Sequence, residues 1–520
     1  MKRFLPFTVA VSLFLFQCGA EDKAAPDDIP LKEFLESAEP DAVEETAGEE
    51  MEETKDVPGE EAEEKEEKCS TCHDVKVKKL SESRHAGLNG GCLTCHANGL
   101  DHQEDPSGTP AKVDFSIELC GTCHGGYKDS YLKDDGLKAG KYGGSVKTSK
   151  YDEFPHYIHL MGGHGFTKEY NEERAHKYIL KDHIEIKRKQ NVVCLQCKST
   201  PLAYYWNEQR RGETVFGKDY AWDAAVEKIK ANWGETIDYG ASCSHCHDPH
   251  TTGFRVIRKA MISAILERGT DPYTPEMTVY PKNPADLEKK MNEKGQDGKL
   301  TSGARRLAGT LTCAQCHVEY VCGPGIDKDL GILRDDFPWR KLKDIEDYYS
   351  TKFNLMQDWK HSGTGLPGIK PQHPEVEFFW GGKHHTSGLS CADCHMAGGG
   401  GKTDHWLTSP LKQPAVTCGK CHGNPEKKIA ETIEKQDEIF AKAKEVVELL
   451  DAVLLKIEAG AEGLSQDEFE EAKESFMRGL MWWEWTIVSE NSTGIHNTAE
   501  AHENLENALT FAAAADSLLK

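Results

Sequence analysis

The stretch Cys69-Ser-Thr-Cys72-His73 has two cysteines three positions apart and a histidine directly after the second. Cys-x-x-Cys-His is the attachment motif for c-type haem, in which both thiols bond the porphyrin and the following residue binds the iron. The pattern recurs: the 520-residue chain has 18 cysteines, and sixteen of them form eight Cys-x-x-Cys pairs. The sequence therefore predicts eight covalently bound c-type haems.

Seven of the eight pairs are followed by histidine and one by lysine. A zinc site would need two such pairs to share one metal and would leave the residue after each pair without a role. The attachment cysteines are Cys69, Cys72, Cys92, Cys95, Cys120, Cys123, Cys194, Cys197, Cys243, Cys246, Cys313, Cys316, Cys391, Cys394, Cys418 and Cys421. The predicted proximal iron ligands are His73, His96, His124, Lys198, His247, His317, His395 and His422.

The spacing of the motifs limits how much protein can surround each haem. The 354 residues from Cys69 to His422 leave about 44 residues for each of the eight motifs, which is too few for separate domains. We therefore expect closely packed haems that form much of the core and an electron-transfer chain. The predicted fold is mainly α, with little β structure, and it is that of a multihaem cytochrome c.

Composition excludes two classes of protein. A hydrophobic content of 38% with 29% charged residues is too polar for a membrane protein. A formal net charge of −24 argues against binding nucleic acid. Much of that charge lies in residues 21–68, where 21 acidic and 5 basic residues predict a disordered acidic linker.

Residues 1–20 have the pattern of an export signal, with Lys2 and Arg3 before a short apolar run. Two alternatives remain open for its end. Cys18 lies where a lipoprotein carries its lipidated cysteine, and cleavage near Ala20 would instead release a mature protein without an anchor. The chain is therefore expected to be periplasmic or otherwise exported, which agrees with haem attachment outside the cytoplasm.

Three regions follow the linker. Residues 69–190 are expected to form an N-terminal haem domain with haems 1–3, and residues 191–424 a catalytic haem domain with haems 4–8. Apolar residues at helical spacing predict a bundle of long C-terminal helices in residues 425–520. This bundle would pack on the haem core or on another subunit.

Lys198 makes the fourth haem different from the others. Lysine must be neutral to bind iron, so its pKa has to be strongly lowered by burial and by the metal. That cost is easier to understand where the haem carries out chemistry than where it only passes electrons. Haem 4 is therefore the candidate for an open distal site that binds a substrate.

Cys194-Leu-Gln-Cys197-Lys198 resembles the catalytic haem motif of the cytochrome c nitrite reductases, which reduce nitrite to ammonium. With eight motifs and the lysine motif fourth, the chain from about Cys69 to its C-terminus resembles an octahaem member of this family, related to the pentahaem enzymes. The resemblance implies a six-electron reduction of nitrite, with hydroxylamine and sulfite as further substrates. It also implies a homo-oligomer, and the electron donor would be a cytochrome or quinol-linked.

The segment His317-Val-Glu319-Tyr320-Val-Cys322 supports the resemblance. In the family, the tyrosine of His-Val-Glu-Tyr lies in the distal pocket of the catalytic haem, which implies this role for Tyr320. Octahaem members join the tyrosine ring to a cysteine two residues later by a thioether bond, and Cys322 has that position. A buried free thiol is the alternative for Cys322.

Lys370-Pro-Gln372-His373-Pro-Glu375 also matches the family. His373 would be the distal catalytic histidine. A structural calcium ion would be held by Glu319, Tyr320, Lys370 and Gln372. Lys370 would use its backbone carbonyl, because calcium binds oxygen ligands and a lysine side chain offers none.

Arg174-Ala-His176 matches a family Arg-Gly-His motif, and the catalytic arginine fourteen residues after the first Arg would be Arg188. The catalytic set implied by the resemblance is therefore Arg188, Tyr320 and His373, with Cys322 as the cross-link partner. An arginine attracts the nitrite anion, and a histidine donates protons near neutral pH. Arg174, Lys187 and Lys189 are alternatives to Arg188.

The seven histidine-bound haems need distal ligands. The resemblance assigns His176 to the haem of His317, His405 to that of His247, His384 to that of His422, and His496 to that of His395. For haems 1–3 we expect His85, His102 and His164 without pairing them, and His156, His159, His183 and His250 compete for these roles. Two alternative functions remain: an octahaem tetrathionate reductase and a non-catalytic multihaem electron carrier.

The two cysteines outside the haem motifs provide a test. We expect no disulfide between Cys18 and Cys322, because the first is a candidate lipid anchor and the second a candidate partner of Tyr320. Peptide mass mapping of the mature protein measures this directly, together with the mass of haem on each Cys-x-x-Cys peptide. A Cys18–Cys322 disulfide would contradict both assignments.

Overall fold

The computed structural model describes residues 60–109, 111–133, 149–171, 175–188, 194–207, 240–275, 279–327, 332–353, 359–399 and 403–520. The expected signal at residues 1–20, with Cys18, and most of the acidic linker lie outside these ranges. Within them, the structure contains no helix with the length and apolar character needed to cross a membrane.

Helices dominate the described ranges, and most are short. They are α1 Glu60–Ser81, α2 Gly99–Glu104, α3 Ile117–Gly121, α4 Gly125–Tyr131, α5 Lys150–Glu153, α6 Tyr157–Leu160, α7 Ile179–Ile184, α8 Leu195–Lys198, α9 Thr200–Asn207, α10 Cys243–Cys246, α11 Lys259–Arg268, α12 Pro284–Met291, α13 Ser302–Ala314, α14 Leu342–Phe353, α15 Glu375–Phe379, α16 Lys383–Thr386, α17 Cys391–His395, α18 Pro425–Ala459, α19 Gln466–Trp483 and α20 Thr498–Leu518. Short 3₁₀ turns occur at Gly91–Thr94, Gly165–Lys168, His176–Tyr178, Pro410–Lys412 and Cys418–Lys420.

Within the described ranges, the strands form three antiparallel two-stranded ladders. They are β1 His247–Asp248 with β2 Gly253–Phe254, β3 Val321–Asp327 with β4 Ile332–Asp336, and β5 Trp359–Lys360 with β6 Pro367–Gly368. The prediction of a mainly α protein with little β structure is confirmed.

The three long C-terminal helices that apolar spacing predicts are also confirmed. Side chains define where they begin: Asn424 accepts a hydrogen bond from the Lys427 amide before α18, and Ser465 with Glu468 forms a capping box before α19. Both devices satisfy amides that have no partner inside the helix. A π-helical turn, Glu484–Ser489, continues from the end of α19.

The C-terminal helices share one core with the segment around α6. Leu450 of α18, Leu480 of α19 and Ala508 of α20 are buried in the same cluster as Tyr157. A side chain at Gly479 would meet the Ala508 carbonyl oxygen at 3.1 Å, so the missing side chain lets α19 and α20 approach closely. The bundle is therefore packed against the rest of its own chain.

Two leucines of α18 test how much this core contributes to stability. Leu450 is fully buried and Leu455 is 55% exposed. We expect Leu450→Ala to lower the free energy of unfolding by about 2–5 kcal/mol, because it leaves a cavity. The matched variant Leu455→Ala should change it by less than about 0.5 kcal/mol. Urea unfolding followed by far-ultraviolet circular dichroism measures both, and equal effects would contradict the packing described.

Candidate haem cavity and active site

Local backbone structure explains how four of the motifs present their ligands. The amide of the motif histidine donates to the carbonyl of the first cysteine at His96, His124, His317 and His422, with distances of 2.9–3.1 Å. This is one helical turn, in which positions i, i+3 and i+4 lie on the same face. Two thiols and one imidazole therefore point to one side, as a covalently bound porphyrin requires.

All eight motifs face one continuous cavity. Its lining includes all sixteen motif cysteines and the His or Lys residue after each pair, and its volume is about 4290 Å³. Divided among eight motifs, this leaves about 540 Å³ for each, within the range of about 300–1,000 Å³ usual for a ligand site. The sixteen cysteines are free of disulfides. The cavity therefore fits several closely packed haems.

Histidine pairs face each other across this cavity. Imidazole nitrogens bind a metal at about 2 Å, so two rings on opposite sides of one haem iron have centroids about 6 Å apart. Among the described residues, six motif histidines each have a second histidine at a centroid distance of 6.1–6.4 Å: His73 with His102, His124 with His85, His96 with His250, His317 with His176, His395 with His496, and His422 with His384. His317 also lies 6.4 Å from the expected catalytic histidine, His373. This spacing is the one that two-sided haem ligation needs.

Second hydrogen bonds orient several of these rings. The Nδ1 atom of His102 lies 2.7 Å from the Thr109 carbonyl oxygen, and that of His85 lies 2.9 Å from the Pro249 carbonyl oxygen. The Nδ1 atom of His496 lies 2.6 Å from Glu490. Such contacts fix the tautomer and leave Nε2 available for a metal.

The structure brings the members of three expected pairs close together: His176 with His317, His384 with His422, and His496 with His395. His405 lines the cavity together with His247. Burial and then the neighbouring His405 and His124 lower the pKa of His247 to about 4, which keeps the imidazole neutral. His85 and His102 lie opposite His124 and His73.

The structure places His164 away from the motif histidines. Its ring stacks on Phe166 at 4.9 Å and contacts Trp359 at 5.7 Å, and the histidine opposite His96 is His250. His250 follows the haem motif at His247 by three residues, and its Nδ1 lies 3.1 Å from Asp248. The tight β1–β2 turn places His250 beside the motif of His96 rather than that of His247. The position of His250 in the sequence does not reveal this.

The residues of the expected catalytic set line the cavity with Lys198. Arg188, Tyr320 and His373 are all part of its wall. The Arg188 guanidinium lies over the Phe166 ring at 4.1 Å, and Tyr320 is 5% exposed and stacks on Phe337. Three of the expected or alternative positions, Cys322 (its side chain), Arg174 and Lys189, lie outside the described residues.

Glu375 links the expected catalytic histidine to a haem motif. Its Oε1 atom lies 3.3 Å from Nδ1 of His317 and 3.8 Å from Nδ1 of His373, and it accepts a hydrogen bond from Asn491. Burial alone would raise the pKa of Glu375, but His317 and His373 hold it well below its usual value. The carboxylate can therefore orient both imidazoles.

Arg258 is a site residue that sequence reasoning missed. It is 1% exposed, donates to the Gln315 carbonyl oxygen at 2.8 Å and contacts the Cys197 sulfur at 3.4 Å. Its guanidinium lies 4.6 Å from the centre of the Tyr320 ring. The sequence offers one signal for this residue: Arg258 directly follows the apolar pair Val256-Ile257, which suggests that it is buried. A buried cation needs specific partners, so such an arginine is a candidate site residue.

The residues expected to hold calcium also converge. The Gln372 amide donates to Glu319 at 2.9 Å, and the Gln372 side chain contacts the Lys370 carbonyl oxygen at 2.8 Å. The Lys370 ammonium group instead contacts Ser489 and Pro371, which leaves the carbonyl as its available ligand.

The charges around this group fit a cation. Glu319 is fully buried, and its backbone amide donates to the equally buried Glu377 at 3.2 Å. Burial raises the pKa of Glu319 to about 7, and burial together with Glu319 raises the pKa of Glu377 well above its usual value. A bound divalent cation would stabilise both carboxylates, and the oxygen donors suit calcium.

A helical chain that wraps one cavity lined by repeated Cys-x-x-Cys motifs and facing histidines is a multihaem c-type cytochrome. The cytochrome c552 family model matches residues 127–520. The chain therefore belongs to the cytochrome c552 family.

Individual relatives agree with this membership. The chain is 29% identical over 418 residues to the cytochrome c nitrite reductase subunit NrfA of Nitratidesulfovibrio vulgaris, covering 71% of this chain and 72% of that protein. It is 27% identical to cytochrome c-552 of Porphyromonas gingivalis, covering 73% and 70%. The solved structure of the cytochrome c nitrite reductase subunit NrfA from Desulfovibrio desulfuricans, described as having two calcium sites, superposes with a TM-score of 0.62 and 26% identity, covering 78% of this chain and 86% of that one.

Substitution can decide whether His250 or His164 is the distal ligand opposite His96. We expect His250→Ala to leave the haem of His96 without its distal ligand, so that a high-spin ferric signal additional to that of the open haem 4 appears in the electron paramagnetic resonance spectrum. His164→Ala should leave the number of high-spin haems unchanged, because His164 packs on Phe166 and Trp359. The reverse result would restore His164 as the ligand.

Proposed function

We propose that this chain reduces nitrite to ammonium at the haem bound by Cys194, Cys197 and Lys198, in an octahaem cytochrome. The supporting observation is that Lys198 shares its cavity wall with a cation, a phenol and an imidazole, namely Arg188, Tyr320 and His373. The name of a relative that covers most of both chains, a cytochrome c nitrite reductase subunit, points to the same reaction.

The reaction consumes six electrons and eight protons for each nitrite and forms ammonium and two waters. The bound haem would supply the electrons and an iron atom for the nitrite nitrogen. The protein must therefore bind a small anion, deliver protons, and keep partly reduced products in place. Seven further haems close by would let the electrons arrive before a product escapes.

Arg188 would hold the anion. A guanidinium remains charged throughout the reaction and offers several N–H donors in one plane, which suits the two oxygens of nitrite. Its stacking on Phe166 restricts the side chain, so less conformational freedom is lost when the anion binds.

His373 would deliver protons. Glu375 lies 3.8 Å from its Nδ1, on the side of the ring away from Nε2, and Nε2 would donate to the substrate. The Tyr320 ring contacts both the Phe337 ring and the Arg258 guanidinium, so its hydroxyl has a defined position from which to donate a second hydrogen bond. Arg258 would be a positioning residue for Tyr320.

A calcium ion would be held by Glu319, the carbonyls of Tyr320 and Lys370, and the Gln372 side chain. These residues flank Tyr320 and His373 in the chain. By neutralising buried carboxylates, the ion would stabilise the two loops that carry the tyrosine and the histidine.

We further propose that the protein is exported, acts as a homo-oligomer, and receives electrons from a cytochrome or a quinol-linked donor. Hydroxylamine and sulfite would be additional substrates, because both are small molecules with a nitrogen or sulfur lone pair that can bind the same iron. The thioether bond between Tyr320 and Cys322 belongs to this proposal.

The histidine variant tests the proposed chemistry. We expect the haem-loaded protein to consume nitrite with reduced methyl viologen, and His373→Asn to lower kcat by about 10²- to 10⁴-fold, the usual contribution of a proton donor. His502→Asn is the matched control, because His502 lies exposed on α20 and should leave kcat unchanged. Absence of turnover with both nitrite and hydroxylamine in the fully loaded protein would exclude the proposal and favour a tetrathionate reductase or an electron carrier.

A further inference from the structure

Haem pairing leaves several histidines without a role. Of the 23 histidines in the chain, His156, His159 and His361 belong neither to the facing pairs nor to the expected catalytic set. His156 directly precedes α6, His159 lies in α6, and His361 directly follows β5. The three converge on two acidic side chains of α18, Asp451 and Glu458. The grouping of imidazoles and carboxylates here is separate from the haem cavity and from the oxygen-rich calcium residues.

Three of these side chains offer a compact set of ligand atoms. The Nε2 atom of His159 lies 3.2 Å from Oε2 of Glu458. One ligand atom each from His159, His361 and Glu458 lies within 4.8 Å of the others. A tetrahedral metal with bonds of about 2 Å holds its ligands roughly 3.3 Å apart, so one contact already has that spacing and the third ligand needs only a small movement.

Asp451 orients the first ligand. Its Oδ1 atom lies 2.6 Å from Nδ1 of His159, which leaves the Nε2 of that ring directed at Glu458. A carboxylate on the far nitrogen of a ligating histidine is the usual arrangement behind protein-bound zinc. The second oxygen of Asp451 lies 2.7 Å from Nδ1 of His156, so the carboxylate is itself held in place.

His361 supplies a buried ligand at 3% exposure. Its Nδ1 contacts Thr364 at 3.1 Å and its Nε2 lies 3.1 Å from the His159 carbonyl oxygen. Binding a metal would exchange one of these neutral contacts for a metal–nitrogen bond. Because both contacts come from the same small loop and α6, the ring is already close to the required position.

We propose that His159, His361 and Glu458 bind one divalent transition-metal ion, with Zn²⁺ as the representative ion, and that Asp451 is a positioning residue. Two imidazoles and one carboxylate form the donor set that zinc accepts, with a water as the fourth ligand. Calcium prefers oxygen ligands, which separates this site from the Glu319 group. Glu458 is partly exposed, so the ion can enter from solvent.

The ion would join parts of the chain that are distant in sequence. His159 belongs to α6, His361 follows β5, and Glu458 ends α18. It would therefore fasten the long C-terminal helix to the segment that carries Tyr157 and Leu160 in the shared core. Binding to the folded state alone raises stability as the concentration of free ion rises above its dissociation constant.

Zinc titration of the metal-depleted, haem-loaded protein tests the site, with a chromophoric chelator as competitor. We expect one tightly bound Zn²⁺ in the wild type. Asp451→Asn should weaken it by about 10- to 100-fold, as loss of an orienting carboxylate does, and Glu458→Gln should weaken it further. X-ray absorption at the zinc edge should show two imidazole nitrogens among the ligands.

Glu448→Gln is the matched control, because Glu448 is exposed on the same helix and should leave zinc affinity unchanged. Glu458→Gln changes a partly exposed carboxylate to its neutral isostere, so the fold should persist, and an unchanged haem spectrum verifies this. Absence of a tight site in the wild type, or equal affinity in Glu458→Gln and Glu448→Gln, would overturn the proposal. Neither result would bear on nitrite reduction.

Discussion

The helical turn that the Cys-x-x-Cys motifs form, as at His96, His124, His317 and His422, is the constraint on which the rest of the structure depends. It places two thiols and one ligand side chain on one face, and the backbone bond from the histidine amide to the first cysteine carbonyl keeps them there. Because all eight motifs face one cavity, the polypeptide between them has to turn repeatedly so that each motif reaches the cavity wall. This is why most of the helices are only one or two turns long.

Precise ligand geometry comes from a second layer of contacts. Carbonyl oxygens of Thr109 and Pro249 and the carboxylate of Glu490 each contact the Nδ1 atom of a facing histidine. Glu375 performs the same task for His317 and reaches toward His373. The same arrangement recurs outside the haem cavity, where Asp451 contacts His159.

Some features follow from local physics and were predictable. Long helices at the C-terminus follow from apolar residues at helical spacing and from capping residues such as Asn424 and Ser465. Apolar spacing does not show whether these helices pack on their own chain or on another subunit, and the structure shows them packed on the segment around Tyr157. The choice depends on complementary shape, such as the close approach at Gly479, which a linear pattern does not contain.

The sequence by itself determined the chemistry: eight attachment motifs, one lysine among their ligands, and a mainly helical fold, because covalent motifs and helical periodicity are local. Only the tertiary structure decided which histidine faces which motif. Facing partners come from segments that are distant in the sequence, and the number of residues between a histidine and a motif does not identify the partner. The position of His250 opposite His96 and that of the buried Arg258 beside Tyr320 are both known only from the tertiary structure. Their positions depend on how turns and helices pack around the cavity, and on the need to give every buried polar group a partner.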